Sequence, residues 1–372
     1  MQTDTETGGQ PTNGPRGWWA RGRGAARMIA TPLRPSHYLG LLNPLWATHA
    51  LQARVEAVWD ETADARTVRL RPGRGWRPHR AGQFVSVGVP IDGVRHTRTY
   101  SISSAPDAAA RTFTLTVKAM EGGRVSPFLV RRLQPGAYLP IGLPQGDFVL
   151  PADPHLRPLF ITAGSGITPV MSMLRSLAQR DAMPDAVHLH YAPSPADVIF
   201  AGELRQMAAA HPRYRWHPHY TRDAGGVSRH FTPRQLEQAC PDWRAREVWA
   251  CGPPALLAAL ATLWDAAGLG ARLHVERFVA ALTPPADVAG GMASFALSQT
   301  RVRADGATPL LLVAERVGLR PAHGCRMGIC HSCDVMLQSG CVRDLRNGAL
   351  HTAGQRVQVC VCAAAGDVEL AL

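Results

Sequence analysis

The feature that most limits what this chain can become lies near its end. Cys325, Cys330 and Cys333 stand at C-x4-C-x2-C, and Cys360 and Cys362 follow. An asymmetric triplet with a distant fourth thiol is the plant-type spacing for a [2Fe-2S] cluster, whose irons take four thiolates. The loop composition agrees. Gly324 and Gly328 flank Cys325, and glycine permits the tight turns that bring backbone N–H groups onto cluster sulfurs. A structural zinc site is the competing reading, but zinc knuckles are built from C-x2-C pairs. A disulfide cluster is the other, and the N-terminus shows no apolar leader that would send the chain to an oxidising compartment.

A one-electron centre needs a supply of electrons, and 372 residues leave room for two or three further cores. No run of about 18 apolar residues appears, so no spanning helix is expected. Six of the eight cysteines fall between Cys325 and Cys362, which suits a reducing cytoplasm. The net charge is +12, nearly all of it arginine, with Lys118 the only lysine. No basic run interleaved with aromatics appears, so nucleic-acid binding is not expected. A basic surface attracts phosphorylated nucleotides, an acidic partner or an anionic membrane.

Composition divides the chain. Residues 1–50 read as a partly disordered extension, Gly- and Pro-rich and then basic and aromatic. Its Trp18-Trp19 and Tyr38-to-Trp46 stretches suit either a membrane surface or packing across the next domain, and the Gly and Pro content favours packing. Residues 51–152 alternate in short β-branched runs cut by Gly and Pro, which predicts an antiparallel β-barrel. Residues 153–280 alternate strands with helices, which predicts a doubly wound α/β domain. Residues 281–293 read as a linker, and 294–372 hold the cysteine motif.

Three motifs lie upstream in order. Arg98-Thr99-Tyr100-Ser101-Ile102-Ser103-Ser104 sits at the end of a barrel strand. Lys118 leads into Gly123, Ser126 and Leu129, a G-x-x-S-x-x-L pattern, with Ser126 a candidate N-cap and Pro127 behind it. Gly164-Ser165-Gly166-Ile167-Thr168-Pro169 joins an apolar strand to a helix, where glycines and a helix N-terminus can take a pyrophosphate. Cys251-Gly252-Pro253-Pro254 and Glu276-Arg277-Phe278 end later strands.

Together these stretches resemble the ferredoxin–NADP reductase superfamily with a fused C-terminal [2Fe-2S] ferredoxin domain of α+β (β-grasp) type. The resemblance covers about residues 50 to 372. It implies that Arg98 pairs with the phosphate of FAD, that Tyr100 packs on the isoalloxazine and that Ser101 bonds near its N5. Arginine's planar fork and tyrosine's amphipathic ring suit those tasks. Lys118, Gly123 and Ser126 are implied in cofactor binding as well. Gly164, Gly166, Thr168 and Pro169 then face the pyrophosphate of the nicotinamide nucleotide, while Cys251, Gly252 and Pro253 lie beside the nicotinamide. Glu276 and Phe278 are expected near the flavin. The resemblance makes Cys360, which precedes Gly366-Asp367-Val368-Glu369-Leu370, the fourth ligand beside Cys325, Cys330 and Cys333, and leaves Cys341 at a variable turn. His323 and His331 read as solvated or outer neighbours of the cluster.

The resemblance implies that Ser194 and Arg222, with Arg229 a further candidate, stand near the places where NADP-using relatives meet a 2′-phosphate, and on charge grounds NADPH is expected over NADH. The implied path runs from NAD(P)H through FAD and the cluster to a protein acceptor. The resemblance is strongest to reductases serving membrane fatty-acyl desaturases, through Asn43-Pro44-Leu45-Trp46, Gly164-to-Leu174 and His274-to-Phe278. This implies a membrane di-iron desaturase or an oxygenase as acceptor, and a cytoplasmic protein working at the inner membrane face through that partner. The same arrangement serves ring hydroxylases, alkane-type monooxygenases and cytochromes P450. A flavin-free redox sensor is the non-enzymatic alternative, and the intact upstream motifs argue against it.

Overall fold

A computed structural model describes residues 40, 42–47, 51–107, 111–153, 155–222, 230–278, 280, 282–283 and 289–372. Most of the N-terminal extension, Arg229 and much of the linker lie outside these residues. No described helix is long and apolar enough to cross a membrane.

The first unit is antiparallel. It comprises β1 (Gln52–Thr62), β2 (Ala65–Pro72), β3 (Phe84–Ile91), β4 (Val94–Ser101), β5 (Phe113–Lys118), α1 (Val125–Arg131) and β6 (Tyr138–Pro140). One sheet runs β5-β2-β1-β6, and β3 and β4 form a second. Asp92 and Gly93, both at positive φ, make the two-residue connection between β3 and β4, the geometry whose twist matches paired strands. Bridges Phe84–Gln145, Val87–Ile141 and Ile102–Leu115 tie the sheets into a barrel-like wall around Val55, Val68, Leu70, Val85, Val87 and Leu115. Ahead of the barrel, Pro44–Trp46 forms a short turn with Asn43 Oδ1 accepting from Leu45 N. Arg74 N donates to the Leu45 carbonyl and the Arg74 guanidinium lies over the Trp46 ring, so this part of the extension packs on the barrel.

The second unit follows as β7 (Pro158–Ala163), α2 (Ile167–Gln179), β8 (Ala186–Ala192), α3 (Ala201–Ala210), β9 (Tyr214–Tyr220), α4 (Pro233–Ala239), β10 (Glu247–Cys251), α5 (Pro254–Ala266) and β11 (Leu273–Glu276). Its sheet is parallel in the order β11-β10-β7-β8-β9. Every residue of β8 is buried, as a strand covered by helices on both faces must be. The chain leaves β7 toward β8 and returns later to β10 on the other side. That makes the carboxyl ends of β7 and β10 the switch point at which such sheets bind ligands.

The third unit has β12 (Gly291–Phe295), β13 (Thr300–Ala304), α6 (Leu310–Arg316), β14 (Asp334–Asp344), β15 (Leu350–Thr352), β16 (Arg356–Gln358) and β17 (Cys362–Leu370). Its sheet runs β13-β12-β17-β14-β15, with β16 on β14, and α6 packs its Leu310, Leu311, Val313 and Ala314 into that sheet's core. Cys341 lies inside β14 opposite Thr352, not at a turn, because β14 continues as far as Asp344.

A polar chain crosses the interior of the second unit. Tyr214 Oη meets His188 Nδ1, and Thr162 Oγ1 meets both His188 Nε2 and His190 Nδ1, each at 2.8 Å. Burial holds both imidazoles neutral, driving His190 down to about 3. Below about pH 6.5 the unfolded chain takes up protons that the folded chain refuses, so this contribution to stability is lost as pH falls from there. Thr162→Val leaves ring nitrogens buried without their partner, at a cost of about 1–3 kcal/mol. We expect a lower urea midpoint for Thr162→Val by tryptophan fluorescence at neutral pH. For the unaltered chain we expect a midpoint that falls between about pH 6.5 and pH 5.

Candidate functional site

The switch point is shaped by backbone proximity. Residues Gly164–Gly166 form a tight turn between β7 and α2, and Thr168 Oγ1 donates to the Ser165 carbonyl at 3.0 Å. A Cβ on Gly166 would stand 2.2 Å from the Cys251 carbonyl oxygen, so only glycine lets the two strand exits touch. Gly252 packs against Ala163 and Leu256, and Pro253 caps α5. The structure thus brings Gly164, Gly166, Thr168, Pro169, Cys251, Gly252 and Pro253 together. Cys251 is fully buried, and burial together with the neighbouring Glu276 keeps its thiol far above the ordinary range. Burial pushes the Glu276 carboxyl up to about 7. The two are register partners across β10 and β11. Phe278 follows at 38% exposed.

On β4, Arg98, Tyr100 and Ser101 pair with Val87, Val85 and Phe84. Burial raises the Tyr100 phenol, and Ser101 is 5% exposed. Arg98 Nη1 donates to the Thr97 carbonyl at 2.7 Å and to the Gly324 carbonyl at 3.1 Å. The strand expected to hold the flavin therefore touches the cysteine loop of the third unit. Just beyond it, Arg175 Nη1 donates to Ser103 O at 2.7 Å, and Ser172 Oγ to Ser104 O at 2.6 Å. Both donors sit on α2, the helix that opens at the Gly164 turn.

The second barrel motif differs in detail from the sequence reading. Lys118 pairs with Asp64 at 2.6 Å. Ser126 is not the N-cap, since α1 begins one residue earlier at Val125 with Arg124 in the cap position. Its hydroxyl turns back and accepts from Met120 N at 3.1 Å, closing the loop that contains Gly123.

The cysteine loop fits a small cluster. Cys325 N donates to Cys330 Sγ at 3.1 Å, and Met327 N and Cys330 N donate to Cys325 Sγ at 3.3 and 3.4 Å. The Cys333 and Cys360 thiols bond each other, and the Gly328 N–H reaches Cys360. One loop therefore serves both pairs. Hydrogen bonds from their neighbouring thiols hold Cys330 and Cys333 below the usual thiol range. The same thiol bonds, with burial, hold their donors Cys325 and Cys360 above it, while the backbone N–H groups on these sulfurs favour thiolate, the form that binds iron. Cys362 turns elsewhere, its sulfur within 4.8 Å of Asp344 and His351 ligand atoms, and burial lifts it to about 12. His331 is exposed and meets Asp334 at 3.1 Å. His323 lies between the Pro321 carbonyl and Arg326.

At the end of β8, Ser194 Oγ donates to Asp197 Oδ2 at 2.6 Å, and Arg222 N donates to the Pro193 carbonyl at 2.9 Å, which sets Arg222 beside Ser194. Sequence reasoning missed Arg175, Asp344 and Arg346. For Arg175 a signal was available, since it is the only charged residue in α2.

Residues 62–150 match the oxidoreductase FAD-binding domain, 160–262 the oxidoreductase NAD-binding domain and 296–365 the 2Fe-2S iron-sulfur cluster binding domain. Over 357 residues the chain is 47% identical to an NADPH oxidoreductase of Mycobacterium tuberculosis, spanning 95% of this chain and 92% of the relative. The chain belongs to the ferredoxin-reductase-type flavin and iron–sulfur oxidoreductases. This reductase is also 33% identical over 340 residues to the glycine betaine monooxygenase reductase subunit of Pseudomonas aeruginosa, spanning 83% and 92% of the two chains. It shares its fold with phthalate dioxygenase reductase at a TM-score of 0.59 and 24% identity, over 86% of this chain and 97% of that one. The reductase uses FAD and a [2Fe-2S] cluster and takes its electrons from NAD(P)H.

Two outcomes are expected of the switch point. Gly166→Ala forces the Cys251 carbonyl away, and we expect at least tenfold slower flavin reduction by NADPH in stopped flow, with FAD content unchanged. Glu276 holds a proton in the fold that the unfolded chain releases between about pH 4.5 and pH 7, so its contribution to stability is lost as pH rises through that window. Glu276→Gln should therefore gain thermal midpoint relative to the unaltered reductase on going from about pH 5 to about pH 8.

Proposed function

We propose that this reductase accepts hydride from NADPH and delivers single electrons to an oxygenase-type protein. The observation that carries the reading is the Arg98 contact with the Gly324 carbonyl. It sets the flavin-binding strand directly against the cysteine loop, so electrons need not cross an intervening layer of protein. Bound FAD supplies the conversion between two-electron and one-electron chemistry that a nicotinamide and a [2Fe-2S] cluster cannot make between themselves.

The chain's own groups then position and exclude. Arg98 pairs with the flavin phosphate, Tyr100 covers one face of the ring, Ser101 bonds at its edge, and Lys118, Gly123 and Ser126 line the approach. The Gly164, Gly166, Thr168 and Pro169 turn receives the nucleotide pyrophosphate at the start of α2. Cys251, Gly252 and Pro253 form a dry wall for the nicotinamide, and Glu276 and Phe278 close the side next to the flavin. Cys325, Cys330, Cys333 and Cys360 hold the cluster. The thiol contact between Cys333 and Cys360 supports Cys360 over Cys362. The domain limits proposed from composition go with this assignment.

Arg222 beside Ser194 supports NADPH, as does the name of the mycobacterial relative. A second reading, NADH, draws on Asp197, whose carboxylate receives the Ser194 hydroxyl and would meet a ribose 2′-hydroxyl better than a phosphate. For the acceptor, the monooxygenase reductase subunits among the relatives support an oxygenase. A membrane fatty-acyl desaturase is the alternative, which rests on motif resemblance alone and would bring this cytoplasmic protein to the membrane face.

The test is an anaerobic titration with NADPH and NADH in parallel, followed by visible and electron paramagnetic resonance spectra. We expect flavin bleaching, a rhombic low-temperature cluster signal and faster reduction by NADPH. Cys330→Ser should lose the cluster signal and keep flavin reduction. Loss of both together would overturn the division of labour proposed here.

A further inference from the structure

The cysteine loop is gripped by a side chain that belongs to neither the ligand set nor the flavin site. Arg346 stands in the turn after β14. Its Nη1 donates to the Gly328 carbonyl at 2.8 Å. Its Nη2 donates to Asp344 Oδ2 at 2.6 Å and to Gln358 Oε1 at 3.1 Å, and its Nε to Asp344 Oδ1 at 3.0 Å. Asp344 Oδ1 accepts the Arg346 backbone N–H as well, at 2.8 Å. The Asp344 side chain is 4% exposed, so the guanidinium is braced from beneath by a buried carboxylate in the planar geometry arginine favours. Gly328 sits at φ +71°, and a Cβ there would fall 2.3 Å from Arg346 Nη1. The guanidinium therefore lies flush on the loop.

The consequence follows from peptide planarity. In a trans peptide the C=O and the following N–H point in opposite directions. Holding the Gly328 carbonyl toward Arg346 turns the Ile329 N–H the other way, to the side of the Cys325 sulfur, which accepts from Met327 N and Cys330 N on either side of that peptide. The Gly328 N–H in turn bonds Cys360. Asp344, Arg346 and the Gly328–Ile329 peptide thus form a relay from the sheet to two ligand sulfurs. Asp344 also lies near His351 and Cys362 in an arrangement that could suggest a metal site. Both its oxygens already face the guanidinium, however, so the cation in that pocket is Arg346 itself.

We infer that Arg346, braced by Asp344, is a positioning residue that fixes the N–H donors on the cluster sulfurs and thereby raises the cluster's reduction potential and slows its loss. The inference rests on the cluster assignment proposed above. The cluster takes one electron from the flavin side and passes one to the acceptor, with no bond made or broken. It becomes one unit more negative while reduced. Aligned N–H donors favour that state, and outer contacts of this kind set cluster potentials.

The experiment uses the holoprotein with Arg346→Gln, Arg346→Lys and Asp344→Asn. Its readouts are iron content, the paramagnetic resonance signal, the cluster midpoint by redox titration, and iron release to a chelator. The control is flavin reduction by NADPH, which should not change. We expect midpoints in the order unaltered, Lys, Gln, with Gln the most negative, and a shifted resonance signal. Iron release should be about 10–100-fold faster in Arg346→Gln. An Arg346→Gln protein with full iron, an unshifted signal and an unchanged midpoint overturns the inference. If that variant takes up no cluster, Arg346→Lys decides, because it keeps the charge and loses the fork. A lowered midpoint then supports the inference and an unchanged one sinks it. An unaltered protein holding zinc and no iron overturns the cluster assignment first, and this inference with it.

Discussion

Arg175 is the side chain that ties α2, and with it the Gly164–Gly166 turn, to the backbone just beyond β4. It makes a two-pronged ion pair with Glu203 at 2.6 and 2.8 Å. It also lies over the Phe200 ring at 4.7 Å and gives its remaining terminal nitrogen to the Ser103 carbonyl. A hydrogen bond of this charged kind is worth about 1.5–3 kcal/mol. Its position matters more than its strength. Helix α2 begins at the Gly164–Gly166 turn and carries Ser172 and Arg175 farther along the same rod. Any shift of that turn, proposed above to receive the nucleotide, is therefore carried into the Ser103–Ser104 segment. Hydride transfer tolerates little such error, since a displacement of about 1 Å can cost a hundredfold in rate.

The parts of the molecule that were legible in the sequence are those whose determinants are local. Gly164-to-Pro169 announces its turn because the glycines and the first residues of α2 are contiguous. The three loop cysteines announce the cluster because ligand spacing is short and rigid. The alternating runs of β1, β2, β3 and β5 read as strands because one face of each is buried. Ser126 misled because a serine followed by proline has the composition of a cap. Its hydroxyl was instead recruited by Met120 N, a loop-closing bond that composition does not signal. Cys341 misled because β14 is unusually long, at 11 residues, and its later half pairs with β15 and β17.

What stayed illegible joins residues far apart in the chain. Arg98 and Gly324 meet across two domains, and Arg346 reaches back from the turn after β14 to Gly328 in the cysteine loop. Arginine is so common here that no single one stands out by composition. What separates the arginines that organise the structure is the distant backbone carbonyl each one reaches: Gly324 for Arg98, Ser103 for Arg175 and Gly328 for Arg346.

The order of strands in the third unit has a consequence for how this protein matures. Strand β17 is the central member of its sheet, lying between the parallel β12 and the antiparallel β14, although it is last in sequence. Until it arrives, β12 and β14 have no shared neighbour, and the buried face formed with Val368 and Leu370 is missing. Domains emerging from the ribosome generally fold in order from the N-terminus. The barrel and the parallel sheet can therefore be complete while the iron-binding unit is still an open chain with exposed thiols. The cluster loop can therefore be seated on its sheet only once β17 has joined β12 and β14, by which point the barrel and the parallel sheet can already be folded.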